Sequence, residues 1–158
     1  MHKRLYGYSV ENNFLVDNQF GFKEQHCTSM AVLRLVDHIA TEIDRGNFTV
    51  GVFIDLSKAF DTIDHYMLLD KLSLYGIRGN SFNWFSSYLT DRKQYVCLKD
   101  VKSDMLCVNC GVPQGSILGP LLFIIYINDI VNISNILQMI LFADDTNKSL
   151  TYFVRSKY

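Results

Sequence analysis

The chain has 158 residues, of which 49% are hydrophobic and 13% aromatic, and its formal net charge is −1. This composition can bury a sizeable core, which excludes a disordered or low-complexity chain. The near-neutral charge excludes a uniformly basic surface of the kind that neutralises nucleic-acid phosphates. Short basic groups at 2–4, 92–93 and 155–157 could line a groove or belong to an ordinary solvated surface.

The first predicted element is a helix that begins near residue 28. Thr28 or Ser29 can cap its N-terminus, and Gly46 is placed to end it. The hydrophobic residues between these ends recur at helical spacing and predict a face buried in the core. They are Val32, Leu35, Val36, Ile39, Ala40 and Ile43.

A strand and two further helices follow. Residues 49–54 lack charge and are rich in β-branched and aromatic residues, which predicts a buried strand that ends at Asp55. Helical spacing of hydrophobic residues then predicts helices over 66–76 and 82–89. His65 is expected to have a capping or surface role at the start of the first of these helices, rather than an acid–base role.

The aromatic residues Trp84, Phe85, Tyr88 and Tyr95 could stack on nucleic-acid bases. The i, i+3 spacing of Phe85 and Tyr88 favours a place in the core instead. We therefore expect these rings to be structural.

Residues 94–99 and 105–110 predict an antiparallel hairpin, with 100–104 as its connection. Cys107 and Cys110 have CxxC spacing, but a zinc site needs a second pair, and none is present at recognisable spacing. Reduced thiols in an intracellular protein are therefore the better interpretation.

No secretory signal is visible, because Lys3 and Arg4 are not followed by an apolar run. The longest apolar stretch, 117–127, is interrupted by Gly119 and Pro120 and is shorter than the ~20 residues of a membrane span. We expect no membrane partner.

A turn-rich loop precedes an apolar helix in the second half of the chain. The loop, GVPQGSILGP at 111–120, contains three Gly and both Pro of the sequence, so its backbone must turn sharply and can approach a ligand closely. Residues 121–130 are strongly apolar and predict a buried helix behind it. Gln114 could reach a nucleotide through its amide or form a hydrogen bond within the loop.

Two acidic positions at strand ends are the candidate catalytic residues. Asp144 and Asp145 separate an apolar run from a polar one, which predicts the tip of a hairpin where divalent cations find oxygen ligands. Asp55 has a similar position after the strand at 49–54. Carboxylates from two neighbouring strand ends could hold two metal ions roughly 3.5–4 Å apart. Considered alone, an Asp at a strand end is usually a turn former, and an Asp-Asp pair usually belongs to a solvated loop.

Four sequence blocks together resemble a reverse transcriptase of the non-LTR (LINE-like) retrotransposon kind. NQFGFK at 18–23 is similar to the family's QFGFR block, and VFIDLSKAFD at 52–61 is similar to its first catalytic motif. GVPQGSILGP at 111–120 matches the GVPQGSxLGP block, and FADD at 142–145 matches the Tyr/Phe-x-Asp-Asp motif. Each block alone is a moderate signal, whereas four in this order are specific.

The resemblance implies an α+β fold, namely a right-hand polymerase palm with an antiparallel sheet and packed helices, plus part of the fingers. It implies an RNA-directed DNA polymerase that adds deoxynucleotides from deoxynucleoside triphosphates to a DNA primer on an RNA template. The cofactor implied is Mg²⁺, as two ions, for which Mn²⁺ can substitute. The compartment implied is the nucleus.

The resemblance also assigns roles to individual residues. Asp55 and Asp144 would be the principal metal ligands, and Asp145 would complete the acidic cluster with a less direct share. Leu56 would lend its backbone to the triphosphate at the metal site.

Further roles concern the substrates. Phe60 occupies the position where the family has an aromatic residue under the incoming sugar, which would collide with a 2′-hydroxyl. Gln114 and Gly115 would lie beside the incoming nucleotide and the template base. Lys23 stands where the family has Arg and would contact a template phosphate without the planar fork of a guanidinium.

The resemblance covers residues 1–158 as a partial reverse transcriptase domain, from which the triphosphate-gripping segment of the fingers and the thumb are expected to be absent. Two alternatives stay open. One is a truncated, non-catalytic remnant that binds at most metal or nucleic acid. The other is a reverse transcriptase of the group II intron maturase type, which shares the Ala-Asp-Asp pattern.

Overall fold

The structure is a computed structural model that describes residues 1–113, 115–134 and 137–143, and the backbone of 150–156. The α-helices of this described part are α1 (His2–Glu11), α2 (Thr28–Asp44), α3 (His65–Leu74), α4 (Gly79–Leu89) and α5 (Gly119–Tyr126). The strands are β1 (Phe48–Ile54), β2 (Arg92–Gln94), β3 (Cys97–Leu98), β4 (Val101–Lys102), β5 (Leu106–Val108), β6 (Gln138–Ile140) and β7 (Leu150–Ser156). A 3₁₀ helix spans Asn128–Ile133.

The chain forms two compact units. The first contains Met1–Ser57 and Ile127–Tyr158, and the second contains Lys58–Tyr126. Both mix helices with short antiparallel strands, which confirms the expected combination of helix and antiparallel sheet at this level.

A three-stranded sheet in the order β1-β7-β6 forms the centre of the first unit. Both neighbouring pairs are antiparallel, with Ile54 opposite Leu150 and Ile140 opposite Thr151. Two small hydrophobic clusters pack beside the sheet, one around Met139 and Leu141 and the other around Phe20, Ala31 and Ile140.

Strand β1 ends directly before Asp55, as predicted, but the expectation that it is buried is wrong. Val50, Val52 and Phe53 are all exposed. Val50 and Val52 lie on one face of the strand and Phe53 on the other, so these positions are left uncovered on both faces of the sheet. The hydrophobic residues of this strand therefore report its strand propensity rather than its burial.

Helix α2 occupies the predicted range, and Gly46 follows it with a φ of +72°. Its N-cap is Cys27, without a side-chain hydrogen bond, so the expected cap from Thr28 or Ser29 is wrong. The predicted core face is also only partly correct. Ala31 is buried, whereas Val32, Val36 and Ile43 of the apolar stripe are exposed.

The core of the second unit lies among α3, α4 and α5. Leu68 and Leu72 of α3 are fully buried, as are Phe85 and Leu89 of α4. Helix α5 is hydrophobic on all sides, and the side chains from Leu121 to Ile125 are all at most 2% exposed. This agrees with the buried helix predicted for 121–130, except that the α-helix ends at Tyr126. A helix that is apolar all round must be enclosed by protein.

The predicted hairpin is present but is divided into two ladders. Strand β2 pairs with β5, and β3 pairs with β4. The connection expected at 100–104 is wrong, because Val101 and Lys102 belong to β4. The chain instead turns between β3 and β4 at Lys99 and Asp100, and Lys99 has a φ of +53°. A positive φ at a turn matches the strand twist of a tight hairpin.

Candidate active site

Asp55 follows the last residue of β1 and is exposed. Its carboxylate makes no hydrogen bond or ion pair with the described part of the chain. The oxygens of Asp55 are thus accessible to a cation from solvent. Leu56, the next residue, is also exposed.

Asp144 and Asp145 lie outside the described residues, so their approach to Asp55 stays a prediction. The strands on either side of them define where that segment leaves and re-enters the sheet. Strand β6 ends at Ile140, opposite Thr151, and β7 begins at Leu150, opposite Ile54. Both ends of the β6–β7 connection therefore lie at the same end of the sheet as Asp55.

The residues before Asp144 run beside the NQFGFK block, with a bridge between Gln19 and Leu141. The Phe20 N–H donates to the Leu141 carbonyl oxygen at 2.8 Å, and the Leu141 N–H donates to the Asn18 carbonyl oxygen at 2.8 Å. The Asn18 side-chain amide also donates to the Met139 carbonyl oxygen at 2.8 Å. The first sequence block thus supports the backbone that leads to the fourth.

Lys23 is half-buried, and its ammonium group donates to the Val16 carbonyl oxygen at 3.1 Å. Desolvation by burial lowers the pKa of Lys23, and the neighbouring charge of Asp17 opposes this shift. Lys23 also lines a cavity of about 480 Å³ beside α1, together with Tyr6 and His26. The predicted contact of Lys23 with a template phosphate stays a prediction.

In the second unit, the segment at 60–65 holds the start of the GVPQGSILGP loop. The Gly111 N–H donates to the Ile63 carbonyl oxygen at 2.7 Å, and the Val112 N–H donates to the Phe60 carbonyl oxygen at 2.9 Å. His65 is 4% exposed, and its Nε2 donates to the Gly111 carbonyl oxygen at 2.6 Å. A surface role for His65 is therefore wrong, and the adjacent Asp64 instead caps α3 by accepting from the Met67 N–H.

Phe60 itself is half-buried and packs on Phe123 of α5, with 5.0 Å between the ring centroids. Gln114 lies outside the described residues. Gly115 has a φ of +74° and open space where a Cβ would stand. After it, the hydroxyl of Ser116 accepts from the Gly119 N–H at 3.0 Å, which satisfies a free donor at the start of α5.

A polar cavity of about 590 Å³ lies beside the same loop in the second unit. Its lining includes Asp61, Arg92, Lys93, Gln94 and Pro113. It therefore combines two cations from β2 with the backbone of the loop. The sequence had marked Arg92 and Lys93 as a basic group that could line a groove, but it gave no sign that they lie beside Asp61 and Pro113.

Two stacked aromatic rings lie next to Arg92, which lines this cavity. Trp84 and Tyr88 stack with 5.3 Å between their centroids and 9° between their planes. The Arg92 guanidinium lies 5.3 Å from the centroid of the Tyr88 ring. The core interpretation of these aromatics holds for Phe85, whereas Trp84 is exposed. The i, i+4 spacing of Trp84 and Tyr88 on a predicted helix was the available signal for their stacking.

Within the described residues, no three His, Cys, Asp or Glu side chains are grouped to hold a metal ion. The four Cys are free and exposed. No helix found in the described ranges is long and apolar enough to cross a membrane. For Mg²⁺, the described residues offer the accessible carboxylate of Asp55, a hard oxygen ligand of the kind that this ion prefers.

Comparison with known proteins gives the same family as the motif blocks. A family model described as "Reverse transcriptase (RNA-dependent DNA polymerase)" matches residues 1–150. The "Probable RNA-directed DNA polymerase from transposon BS" of Drosophila melanogaster is 36% identical over 133 residues, which cover 80% of this chain and 14% of the relative. The corresponding protein from transposon X-element of the same species is 34% identical over 146 residues, or 90% of this chain and 16% of the relative.

A third relative, the "RNA-directed DNA polymerase from mobile element jockey" of Drosophila melanogaster, is 33% identical over 111 residues, or 70% of this chain and 12% of the relative. The chain belongs to the reverse transcriptase family. The resemblance to the non-LTR kind is confirmed by these relatives. The chain spans less than a fifth of the length of each of the three.

Proposed function

We propose that this chain is the region of an RNA-directed DNA polymerase that joins deoxynucleotides to a DNA primer on an RNA template. The observation that carries the proposal is the placement of Asp55. It is an accessible carboxylate at the end of the sheet where the connection that contains Asp144 and Asp145 begins and ends. The family resemblance points to the nucleus as the compartment and to palm and partial fingers as the architecture.

Three carboxylates and one backbone group form the proposed metal site. Asp55 and Asp144 would bind two Mg²⁺ ions, with Asp145 and the Leu56 carbonyl completing the cluster. Magnesium ions, when bound, would activate the primer's attacking oxygen and stabilise the leaving phosphate oxygen. Because Asp55 is free of described ion pairs, its carboxylate can bind a cation without first breaking a protein contact.

The second unit would bind the nucleotide. The hydrogen bonds from Gly111 and Val112 to the 60–65 segment fix the loop relative to Phe60. Gln114 and Gly115 on that loop would contact the incoming nucleotide and the template base. Gly115 is suited to this role because its lack of a side chain leaves its backbone open.

The polar cavity beside the loop would bind a portion of the template's sugar–phosphate backbone. Arg92 and Lys93 can neutralise phosphates there, and a local pair of cations meets this need even though the whole chain carries a net charge of −1. Trp84, which stacks on Tyr88, is exposed, and an unpaired base could stack on its ring. Lys23 would contact a template phosphate.

Metal binding by the intact chain tests the proposal. Clustered carboxylates repel one another, so a bound divalent cation should stabilise the fold. We expect Mn²⁺ to raise the melting temperature of the chain, with about 2.7 kcal/mol of added stability when its concentration is 100-fold above the Kd. The shift should be lost in Asp55→Asn and in Asp144→Asn/Asp145→Asn.

Asp100→Asn is the matched control, since Asp100 is an exposed carboxylate in the β3–β4 turn. It should retain the full Mn²⁺ shift. Equal shifts in the control and in the Asp55 and Asp144/Asp145 variants would place the metal elsewhere and remove the proposed mechanism.

A further inference from the structure

His65 is a buried polar side chain to which the proposed metal and nucleotide sites assign no role. Its Nε2 donates to the Gly111 carbonyl oxygen at 2.6 Å, and because a carbonyl oxygen only accepts, Nε2 must carry the proton of this bond. Burying a polar group costs free energy unless it is hydrogen-bonded, and here the partner lies 46 positions away in the sequence. The bond therefore ties the start of α3 to the GVPQGSILGP loop.

The peptide unit between Gly111 and Val112 is held at both of its polar groups. Its carbonyl oxygen accepts from His65, and its N–H donates to the Phe60 carbonyl oxygen at 2.9 Å. The N–H of Gly111, in the preceding peptide unit, donates to the Ile63 carbonyl oxygen at 2.7 Å. Gly111 has a φ of +82°, and glycine adopts other backbone conformations about as readily. These hydrogen bonds therefore fix the orientation of the peptide unit.

The same peptide unit forms part of one wall of the polar cavity. Residues 111–113, which we call the loop wall, line the cavity together with Arg92 and Lys93 of β2. His65 is buried and is not among the described residues that line the cavity. The Gly111 carbonyl oxygen that it binds is therefore directed towards the protein interior rather than towards the cavity.

The direction of this carbonyl group matters to an anionic ligand. Oriented backbone groups contribute fixed partial charges to the field at a site. A carbonyl oxygen turned towards the cavity would place a partial negative charge beside the phosphates that Arg92 and Lys93 are proposed to bind. The hydrogen bond from His65 keeps this repulsive group out of the cavity.

We propose that His65 is a positioning residue for the loop wall of the polar cavity. Its Nε2–H keeps the Gly111 carbonyl group turned inwards, so that Arg92 and Lys93 bind the phosphates of a single-stranded RNA without an opposing oxygen. His65 itself does not touch the RNA. The inference rests on the proposed function, in which this cavity binds the template backbone.

Two amide variants separate the hydrogen bond from the polarity of the side chain. Gln places its amide nitrogen near the position of the imidazole Nε2, whereas the shorter Asn places it near Nδ1. His65→Gln can therefore donate to the Gly111 carbonyl oxygen, and His65→Asn cannot reach it. Fluorescence anisotropy of a short labelled single-stranded RNA measures binding to the 158-residue chain at several salt concentrations. Urea unfolding identifies a temperature at which each variant is folded.

We expect His65→Asn to raise the RNA Kd about 10-fold, the upper end of the effect of one net hydrogen bond. The slope of log K against log salt concentration should decrease in magnitude by about 0.7, which corresponds to one phosphate contact on a single strand. His65→Gln is the matched control, because it keeps a donor near the position of Nε2. It should retain the Kd and the slope of the unmodified chain.

A purely structural role for His65 predicts a different pattern. His65→Asn would then unfold at a lower urea concentration, but its folded fraction would bind RNA with an unchanged Kd and an unchanged slope. This result would overturn the inference. Equal weakening of RNA binding in His65→Asn and His65→Gln would also overturn it, since only the first variant has lost the donor.

Lys93→Ala separates the inference from the proposed function. If Lys93→Ala leaves the Kd and the slope unchanged, the cavity does not bind the RNA, and the proposed template site and the inference fail together. If Lys93→Ala weakens binding but His65→Asn does not, the inference alone fails. In the double variant, His65→Asn should add little to the effect of Lys93→Ala, because both changes act on the same phosphate contact. Fully additive effects would place the action of His65 outside the cavity and overturn the inference.

The unmodified chain offers a measurement that remains possible if His65→Asn does not fold. In a chain labelled with ¹⁵N at histidine, the Nε2–H signal of buried His65 is identified by its slow exchange with solvent. We expect this signal to shift when the RNA is added, because binding at the loop wall changes the electric field at the Gly111 carbonyl group. An unchanged signal at saturating RNA would overturn the inference.

Discussion

The ring of Phe60 packs on Phe123 while its backbone carbonyl accepts from the Val112 N–H of the loop. It is only half-buried, so part of its surface is available to a ligand. Phe123, in contrast, is 2% exposed. The two rings form a pair in which one member is confined to the core and the other reaches the surface.

We predict that Phe60→Val weakens sugar selectivity in a longer enzyme that includes this region. A smaller side chain removes the clash with a 2′-hydroxyl but no metal ligand, so ribonucleotide incorporation should rise while deoxynucleotide addition continues. The ratio of kcat/KM for the deoxynucleotide to kcat/KM for the ribonucleotide should fall by roughly 10–100-fold, the range typical of a change in one pocket contact. Steady-state incorporation assays with each substrate give this ratio.

Phe123→Val is the comparison variant for this prediction. It removes the other half of the ring pair and should cost stability, about 1–3 kcal/mol by leaving a cavity, without changing the sugar ratio. If Phe60→Val lowers the melting temperature and leaves the ratio unchanged, Phe60 is a core aromatic and not a selectivity residue.

At the scale of elements, the GVPQGSILGP loop depends on the turn that precedes α3. Gly111 has a φ of +82°, and a Cβ there would stand 2.9 Å from the Cα and carbonyl oxygen of Asp61. His65 holds the Gly111 carbonyl from the other side. The loop is therefore fixed at its first residue by backbone contacts, and farther along by the Ser116 cap of α5.

We predict that Gly111→Ala is more destabilising than Gly115→Ala. Both substitutions place a side chain at positive φ, which costs about 1–2 kcal/mol. Only Gly111 also faces backbone, whereas Gly115 has open space around it, so the additional loss measures the Asp61 contact. Urea unfolding of both variants gives the difference. Equal losses would mean that the backbone around Asp61 yields to a methyl group without cost.

At the scale of the whole molecule, the net charge of −1 means that the proposed binding of nucleic acid must rest on local groups of cations. Lys93 lines the polar cavity, whereas Lys99 lies in the β3–β4 turn, and both are exposed to solvent. The two lysines contribute the same charge to the total. A difference between them therefore reports position rather than net charge.

We predict that Lys93→Ala reduces the salt dependence of binding to a short single-stranded RNA. The slope of log K against log salt concentration should decrease in magnitude by about 0.7, the value for one phosphate contact on a single strand. Lys99→Ala should leave the slope unchanged. Fluorescence anisotropy titrations at several salt concentrations provide the slopes. A reduced slope in both variants would indicate non-specific electrostatic attraction. It would show that the cavity is not where the RNA binds.

The sequence by itself determined the family, the identity of the candidate ligands and the kinds of element. These follow from local information, because residue types at fixed spacing are read along the chain without knowing its path. Strand β1 with Asp55 after it, the buried α5 and the hairpin were predicted on this basis. Their burial was less predictable, since apolar residues such as Val50 of β1 and Val36 of α2 occur on the surface as well as in cores.

Only the tertiary structure decided which distant residues meet. Gly21 lies against Ala143, and His65 reaches Gly111 across 46 positions of sequence. The sequence gives no sign of such contacts for a histidine at a helix start or a glycine in a motif. Neither residue belongs to a periodic pattern or to a charge pair that would indicate its partner. The contact between Gly21 and Ala143 and the cavity lined by Arg92 and Lys93 each bring together residues that are distant in the sequence. Tertiary packing sets the distances between these residues.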